Sequence, residues 1–491
     1  MSNSSQDSPP ASMTPTFNES YNNLRRNLSM KSLRELELKH FQRAAWRKKD
    51  EPRKRPRDLE QLLIYASTGG ARAFTLAYIL RAGVNFLTTF IRLLQRRKLK
   101  AAILLRSLYA AEPIRFGAMF GSYVFIWKMA LHLLRLYNPG RKGKGRTEFW
   151  HAPFAGALSG LAVLAETKNS RIGIAQQTFV RGLQGWYNIL HKRGYINIPH
   201  GDVLLFGAAC GQIMYSWLVA PEALNPGYRH WILQASHVPA AVLPWVVARH
   251  RTPWEEPPLD KAYTILTRRD IASGMAQQVE QIIENVQHGD YGPEFPPCAL
   301  VHPWEDSCVR TEFKRFKDVF VFISPVYTAL HFIPPILFKR KQFVKEPFAM
   351  LWKSIKGTTR SSCFLATFVV IFQSIFCLRN NLWPVIQNFP KPIQRFWISK
   401  YQYWMMGFAT CLSLFVEEKK RRGELAMYVM PKALESAWSI ARRRAYVPFI
   451  PGGEVLLSCA AMSMVMSTYQ HEPKMLSGLV RTLVYQFVGL D

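Results

Sequence analysis

Apolar blocks bounded by basic residues, prolines and glycines run from Leu62 to Val488, and nothing else in this chain constrains its fold as strongly. They are Leu62–Leu94 (broken by Gly69-Gly70 and Arg81), Phe116–Leu134, Ala152–Ala165, Ile172–Leu190, Val203–Ala220 and Trp231–Val247. After a polar interval come Val319–Phe338, Ser361–Leu378, Tyr403–Val416, Leu425–Ile440, Val455–Met466 and Met475–Val488. A helix that crosses a bilayer needs ~20 apolar residues, which Phe116–Leu134 and Ser361–Leu378 approach best. The shorter blocks need flanking residues, or enter the membrane only against other protein. The expected fold is all-α: a polytopic helical membrane protein.

Charge placement supports that class. The chain carries 64 Lys+Arg against 33 Asp+Glu, a net +31. Nucleic-acid binding would need these charges on one folded face. Instead Arg96-Arg97-Lys98, Arg141-Lys142, Lys339-Arg340-Lys341, Lys419 to Arg422 and Arg442 to Arg444 abut apolar blocks, as at membrane helix ends. No zinc-finger spacing or aromatic RNA-binding motif accompanies them, so nucleic acid is not an expected partner. Cys210, Cys363, Cys377, Cys411 and Cys459 lie in apolar surroundings and read as buried thiols. No secretory signal or clean mitochondrial presequence is visible, which points to internal targeting.

Composition divides the chain into a disordered polar and basic tail (1–58, with a short charged helix over Leu33–Trp46), a first membrane half (59–250), a polar linker (251–316) and a second membrane half (317–491). One helix, Ile271–Val286, is expected in the linker. The halves read as tandem copies. Pro199-His200-Gly201-Asp202-Val203-Leu204-Leu205 corresponds to Pro451-Gly452-Gly453-Glu454-Val455-Leu456-Leu457 at an offset of 252 residues, as does Pro221 to Pro473. Upstream the offset is 251, pairing Gly156, Leu161, Glu166, Lys168, Ala175, Leu183 and Tyr195 with Gly407, Leu412, Glu417, Lys419, Ala426, Leu434 and Tyr446. Basic residues follow the Glu turn in both copies, which favours parallel over inverted repeats.

Few residues carry candidate chemistry. Gly117 and Gly121, Gly156 and Gly160, and Gly207 and Gly211 are spaced for close helix packing. Of these positions the second half keeps only Gly407, so its packing is expected to be looser or differently paired. Asp202 and Glu454 suit the first turn of a helix, where an acid complements free N–H groups. Glu166 and Glu417 suit structural pairs with neighbouring basic residues. Lys128, His132 and Arg135 share one helix face. Arg135 is expected to snorkel to the headgroups, and Lys128 sits deeper, as an anion or lipid-headgroup candidate. Cys298, His302 and Cys308 supply three of the four ligands a structural zinc site needs, with His288 a distant fourth. Zinc, a Cys298–Cys308 disulfide and a packed loop all stay open. No catalytic triad, phosphate loop or dinucleotide fingerprint is present, so neither an enzyme nor a cofactor is expected.

The run from Cys298 to Cys308 into Phe313-Lys314-Arg315-Phe316, with Glu417-Glu418-Lys419-Lys420-Arg421-Arg422-Gly423 and Gly453-Glu454-Val455-Leu456-Leu457, resembles the transmembrane protein 135 family. That family is related to peroxisomal membrane protein 4 and, distantly, to the mitochondrial inner-membrane translocase channel proteins. The second half here resembles that family's amino-terminal half, and the first half its carboxy-terminal half. The resemblance implies a multi-pass protein of peroxisomal or mitochondrial membranes that supports lipid-metabolite transport or lipid homeostasis. Its expected partners are the bilayer and a lipid or acyl metabolite. A structural role, scaffolding organelle dynamics or protein import through the tail and linker, is the alternative.

Overall fold

A computed structural model describes residues 56–95, 100–137, 147–338 and 340–489. Most of the expected tail, its helix over Leu33–Trp46 and the basic runs at 96–98 and 141–142 lie outside the described residues. Among the described residues there is no strand. The helices are α1 Leu59–Gln95, α2 Ala101–Leu108, α3 Ala111–Tyr137, α4 His151–Ser159, α5 Lys168–Lys192, α6 Gly201–Val219, α7 Pro226–Ser236, α8 Val242–Arg251, α9 Leu259–Leu266 and α10 Ser273–Gln287. They continue with α11 Cys298–Val301, α12 Cys308–Phe338, α13 Arg340–Lys345, α14 Pro347–Ile386, α15 Lys391–Ile398, α16 Tyr401–Ala409, α17 Lys419–Arg443, α18 Gly453–His471 and α19 Gly478–Phe487. Helices α4 and α16 each tighten into a 3-10 segment, Gly160–Ala165 and Thr410–Val416.

Five stretches among the described residues are long and apolar enough to cross a membrane: Leu59–Leu94, Ala101–Tyr137, Gly201–Val219, Cys308–Ile333 and Pro347–Ile386. Their outward faces suit lipid. Leu80 and Leu87 of α1, and Val321, Val326 and Leu330 of α12, stay half exposed or more. Water would penalise such continuous apolar belts, and hydrocarbon does not.

The chain packs as two compact units that cut across the linear halves. Of the described residues, one comprises those from 56 to 186 with 454–489, and the other those from 187 to 453. In the first, α1 lies along α3. A Cβ on Gly70 would fall 3.0 Å from the Gly121 carbonyl oxygen, and one on Gly117 would fall 3.1 Å from Phe74. Helix α4 meets α18, where a Cβ on Gly156 would fall 2.7 Å from the Met462 carbonyl oxygen. In the second unit α6 is central. A Cβ on Gly211 would fall 2.8 Å from the Trp404 carbonyl oxygen, and one on Gly207 would fall 3.0 Å from Cys411. The core of this unit joins Trp217, Trp245, Phe295, Leu300 and Tyr403.

Three expectations need correction. Gly69-Gly70 does not break the first block. Helix α1 runs through it, because the missing side chains let α3 approach closely. Trp231–Val247 is not one block: α7 ends at His237, which adopts a left-handed φ of 51°, and Pro239 precedes α8. The polar linker is folded into the core rather than being a connector with one helix. Helices α9 and α11 accompany α10, whose Met275, Val279, Ile283 and Val286 repeat at helical spacing and are buried.

Candidate functional site

Four side chains converge where the linker meets a membrane helix. Cys298 opens α11 after Pro297, and His302 follows the last turn of that helix. Cys308 opens α12, and Cys377 lies near the end of the apolar run of α14, before Arg379. Their Sγ and ring nitrogen atoms all lie within 4.8 Å of one another, so the four could hold a metal ion. All three cysteines are free thiols. The expected buried thiol Cys377 is therefore part of the site, whereas His288 is an exposed residue after α10 and stays outside it. Sequence reasoning missed Cys377 because it lies 69 positions after Cys308.

The surroundings fix these groups. His302 is fully buried. Its Nδ1 lies 3.1 Å from the Glu305 carbonyl oxygen and its Nε2 lies 3.6 Å from Cys308 Sγ. A carbonyl can only accept, so Nδ1 donates to Glu305, and Nε2 faces the thiols. Asn381 Nδ2 points at Cys308 Sγ from 3.9 Å. The loop is pinned by the Ala272 N–H donating to the Pro303 carbonyl (2.8 Å), and by the Met275 N–H donating to Asp306 Oδ1 (2.9 Å). Arg315 donates to the Ser236 carbonyl at 2.9 Å and stacks over Trp304. Behind Cys377, Arg379 donates to the Trp397 carbonyl at 3.1 Å and covers the Phe295 ring. Burial opposes protonation of His302, but hydrogen bonding and charge from Cys377, with charge from Cys308, lift it to about 9. Hydrogen bonds to Cys308 and Cys377 push the Cys298 thiol up.

The same unit holds a partly open apolar cavity of about 650 Å³ between α6, α7, α12, α14 and α17. Phe206, Trp217, Trp231, Phe364, Phe368 and Phe372 provide much of its wall, and Arg421 and Tyr428 add polar atoms. Arg421 belongs to a network. Its Nη1 donates to Ser361 Oγ (3.0 Å), lies 3.1 Å from His331 Nε2 and lies 3.5 Å from Glu417 Oε1. Ser361 donates to the buried Glu417 Oε2 at 2.7 Å.

The remaining expected residues sit elsewhere. Lys128, His132 and Arg135 are buried together, and neither this cavity nor the smaller one beside Met119 is lined by them. Lys128 Nζ lies 3.8 Å from the centre of the Tyr65 ring, in the space that Gly69 leaves open. Arg135 does not snorkel: it is 2% exposed, because its Nε donates to Thr147 Oγ1 at 2.7 Å and its Nη1 lies 3.3 Å from His132 Nδ1. Asp202 stands in the first turn of α6, where its Oδ1 accepts from the Val203 N–H, and Glu454 stands in the first turn of α18. Arg171 donates to the Glu166 carbonyl at 2.8 Å, as Arg422 does to the Glu417 carbonyl at 3.3 Å.

Long apolar helices around a pinned Cys/His cluster and an aromatic cavity define a polytopic all-α membrane protein. Residues 296–442 match the family model described as the N-terminal cysteine-rich region of Transmembrane protein 135, so this part of the chain is similar to that family. The region that is N-terminal in that family follows 295 residues of this chain. No solved structure matches the chain.

Proposed function

We propose that the chain is a non-enzymatic, multi-pass protein of the peroxisomal or mitochondrial membrane that binds and helps move a lipid-derived metabolite. The cavity beside Arg421 carries this reading. Its volume, about 650 Å³, falls within the ~300–1,000 Å³ typical of small-molecule sites. Its aromatic wall suits an acyl chain or sterol ring, and Arg421 and Tyr428 suit an anionic or hydroxylated head. The resemblance to the transmembrane protein 135 family supports the choice of organelle. Reconstitution in liposomes tests the activity: fatty acyl or sterol flux should exceed that of empty vesicles and fall when Phe368→Trp fills the cavity. Flux equal to empty vesicles contradicts transport. Microscopy of a tagged copy against peroxisomal and mitochondrial markers tests the location.

The protein is built, in this reading, from two copies of one helical module. Conformation supports the duplication at the sequence-derived offsets. Positive φ recurs at Gly194 and Ala445, at His200 and Gly452, and at His237 and Gly489. Asn225 caps α7 and Ser477 caps α19. Packing is reciprocal as well. Gly156 faces Met462, Ser463 and Met466, while Gly407 faces Cys210, Gly211 and Met214, each residue 252 positions before its counterpart. Each compact unit thus pairs the first helix of one copy with the Pro-Gly-initiated helix of the other.

A further inference from the structure

We propose that Cys298, His302, Cys308 and Cys377 bind one structural zinc ion, which clips the linker to membrane helix α14. Four soft or borderline ligands, three sulfur and one imidazole, form a closed set for tetrahedral Zn²⁺. With Zn–S near 2.3 Å and Zn–N near 2.0–2.1 Å, a tetrahedron sets its ligand atoms roughly 3.5–4 Å apart. The His302 Nε2 to Cys308 Sγ distance is 3.6 Å, and all four ligand atoms lie within 4.8 Å of one another. That compactness fits a single ion. A two-iron cluster shares its ligands between two metals and holds those pairs farther apart.

The outer contacts point the same way independently. A zinc-bound imidazole commonly donates its second N–H to a carbonyl or carboxylate, which fixes the ring and its tautomer. His302 does this through Nδ1 to Glu305. Asn381 is placed to donate to the Cys308 sulfur. The backbone on each side is fixed without the metal. Pro303 and Asp306 are tied to α10, and Arg379 is tied to the Trp397 carbonyl.

The ligand spacing gives the ion a defined mechanical role. Three ligands lie within residues 298–308, and the fourth lies at 377. A bound ion closes the intervening chain, which includes α12 and most of α14, and so fixes the ends of both helices at the linker. Binding releases protons from the thiols, so the site loads at neutral pH and empties in acid.

The full chain, purified in detergent after expression in zinc-supplemented medium, tests this. Elemental analysis should find about one zinc per chain, and X-ray absorption about three sulfurs at ~2.3 Å and one nitrogen at ~2.0–2.1 Å. Cys298, Cys308 and Cys377 should resist alkylation until a chelator is added. Cys377→Ser and His302→Ala should lose zinc at least tenfold, while Cys363→Ser and Cys459→Ser keep it. The measurements on the unaltered chain stand even if a ligand variant fails to fold. The proposal is overturned by a zinc-free chain whose three thiols alkylate at the same rate with and without chelator. It is also overturned by zinc bound only through oxygen and nitrogen, by iron with acid-labile sulfide in its place, or by Cys377→Ser retaining full zinc.

Discussion

Gly407 and Gly211 stand backbone to backbone: a Cβ on Gly407 would fall 2.9 Å from the Gly211 Cα. Any side chain at either position must push α16 off α6. Overpacking of this kind costs about 1–3 kcal/mol. Gly407→Leu should lower the unfolding temperature in detergent, whereas Gly423→Ala, with open space around Gly423, should leave it near the parent value. Equal midpoints for both variants would count against the packing described.

Arg421 and Glu417 give a second prediction. Glu417 is 3% exposed and receives hydrogen bonds from Ser361 and Arg421. The Arg421 side chain is 37% exposed, so solvent screening limits its share. Arg421→Ala should therefore destabilise the chain by only about 1–2 kcal/mol, mostly from weaker satisfaction of the buried carboxylate. It should also weaken binding of a fatty acid more than binding of the corresponding alcohol, measured in detergent by ligand-induced shifts in thermal unfolding. Equal weakening of both would remove Arg421 from headgroup recognition.

Acid should loosen the linker side of the second unit. His250 Nδ1 lies 3.6 Å from Glu294 Oε2. Burial holds His250 below its ordinary 6.5, even though Glu294 pulls it upward. Interaction with His250 in turn holds Glu294 below its ordinary 4.5. As pH falls through 6.5, the unfolded chain takes up the His250 proton before the folded chain does, so stability drops. Below 4.5 Glu294 adds a loss of the same sign. The unfolding temperature should fall between about pH 7.5 and 5. His250→Gln should flatten that slope, and an unchanged slope would sink the assignment.

How much of this was legible in the sequence depended on distance along the chain. The Glu turns at Glu166 and Glu417 and the starts at Gly201 and Gly453 are local signals, and helices or 3-10 segments begin or end beside each. The blocks holding Phe116–Leu134 and Ser361–Leu378 appear as spans lengthened by polar turns. Helix α9, at eight residues, was too short for periodicity to announce it, although Ala262 and Ile265 on one face mark it in retrospect. The fourth cluster ligand was hidden because Cys377 sits in an apolar run where a thiol reads as packing. The available hint was an incomplete ligand set at Cys298, His302 and Cys308, which required a distant partner. Lys128 lies deep in its apolar helix, as its position in the sequence suggested, and its Nζ sits over the Tyr65 ring, a contact between helices that sequence spacing does not reveal.

The central claim, that the aromatic cavity beside Arg421 holds a lipid, is tested most directly by photo-crosslinking the full chain in liposomes. A fatty acid with a diazirine on its chain should label peptides carrying Phe364, Phe368 and Trp231, all in the cavity wall. Excess unlabelled fatty acid should suppress that labelling, and Phe368→Trp should reduce it. Labelling confined to exposed residues away from the cavity, such as Leu80, Leu87 and Val321, and insensitive to competitor, would contradict the account.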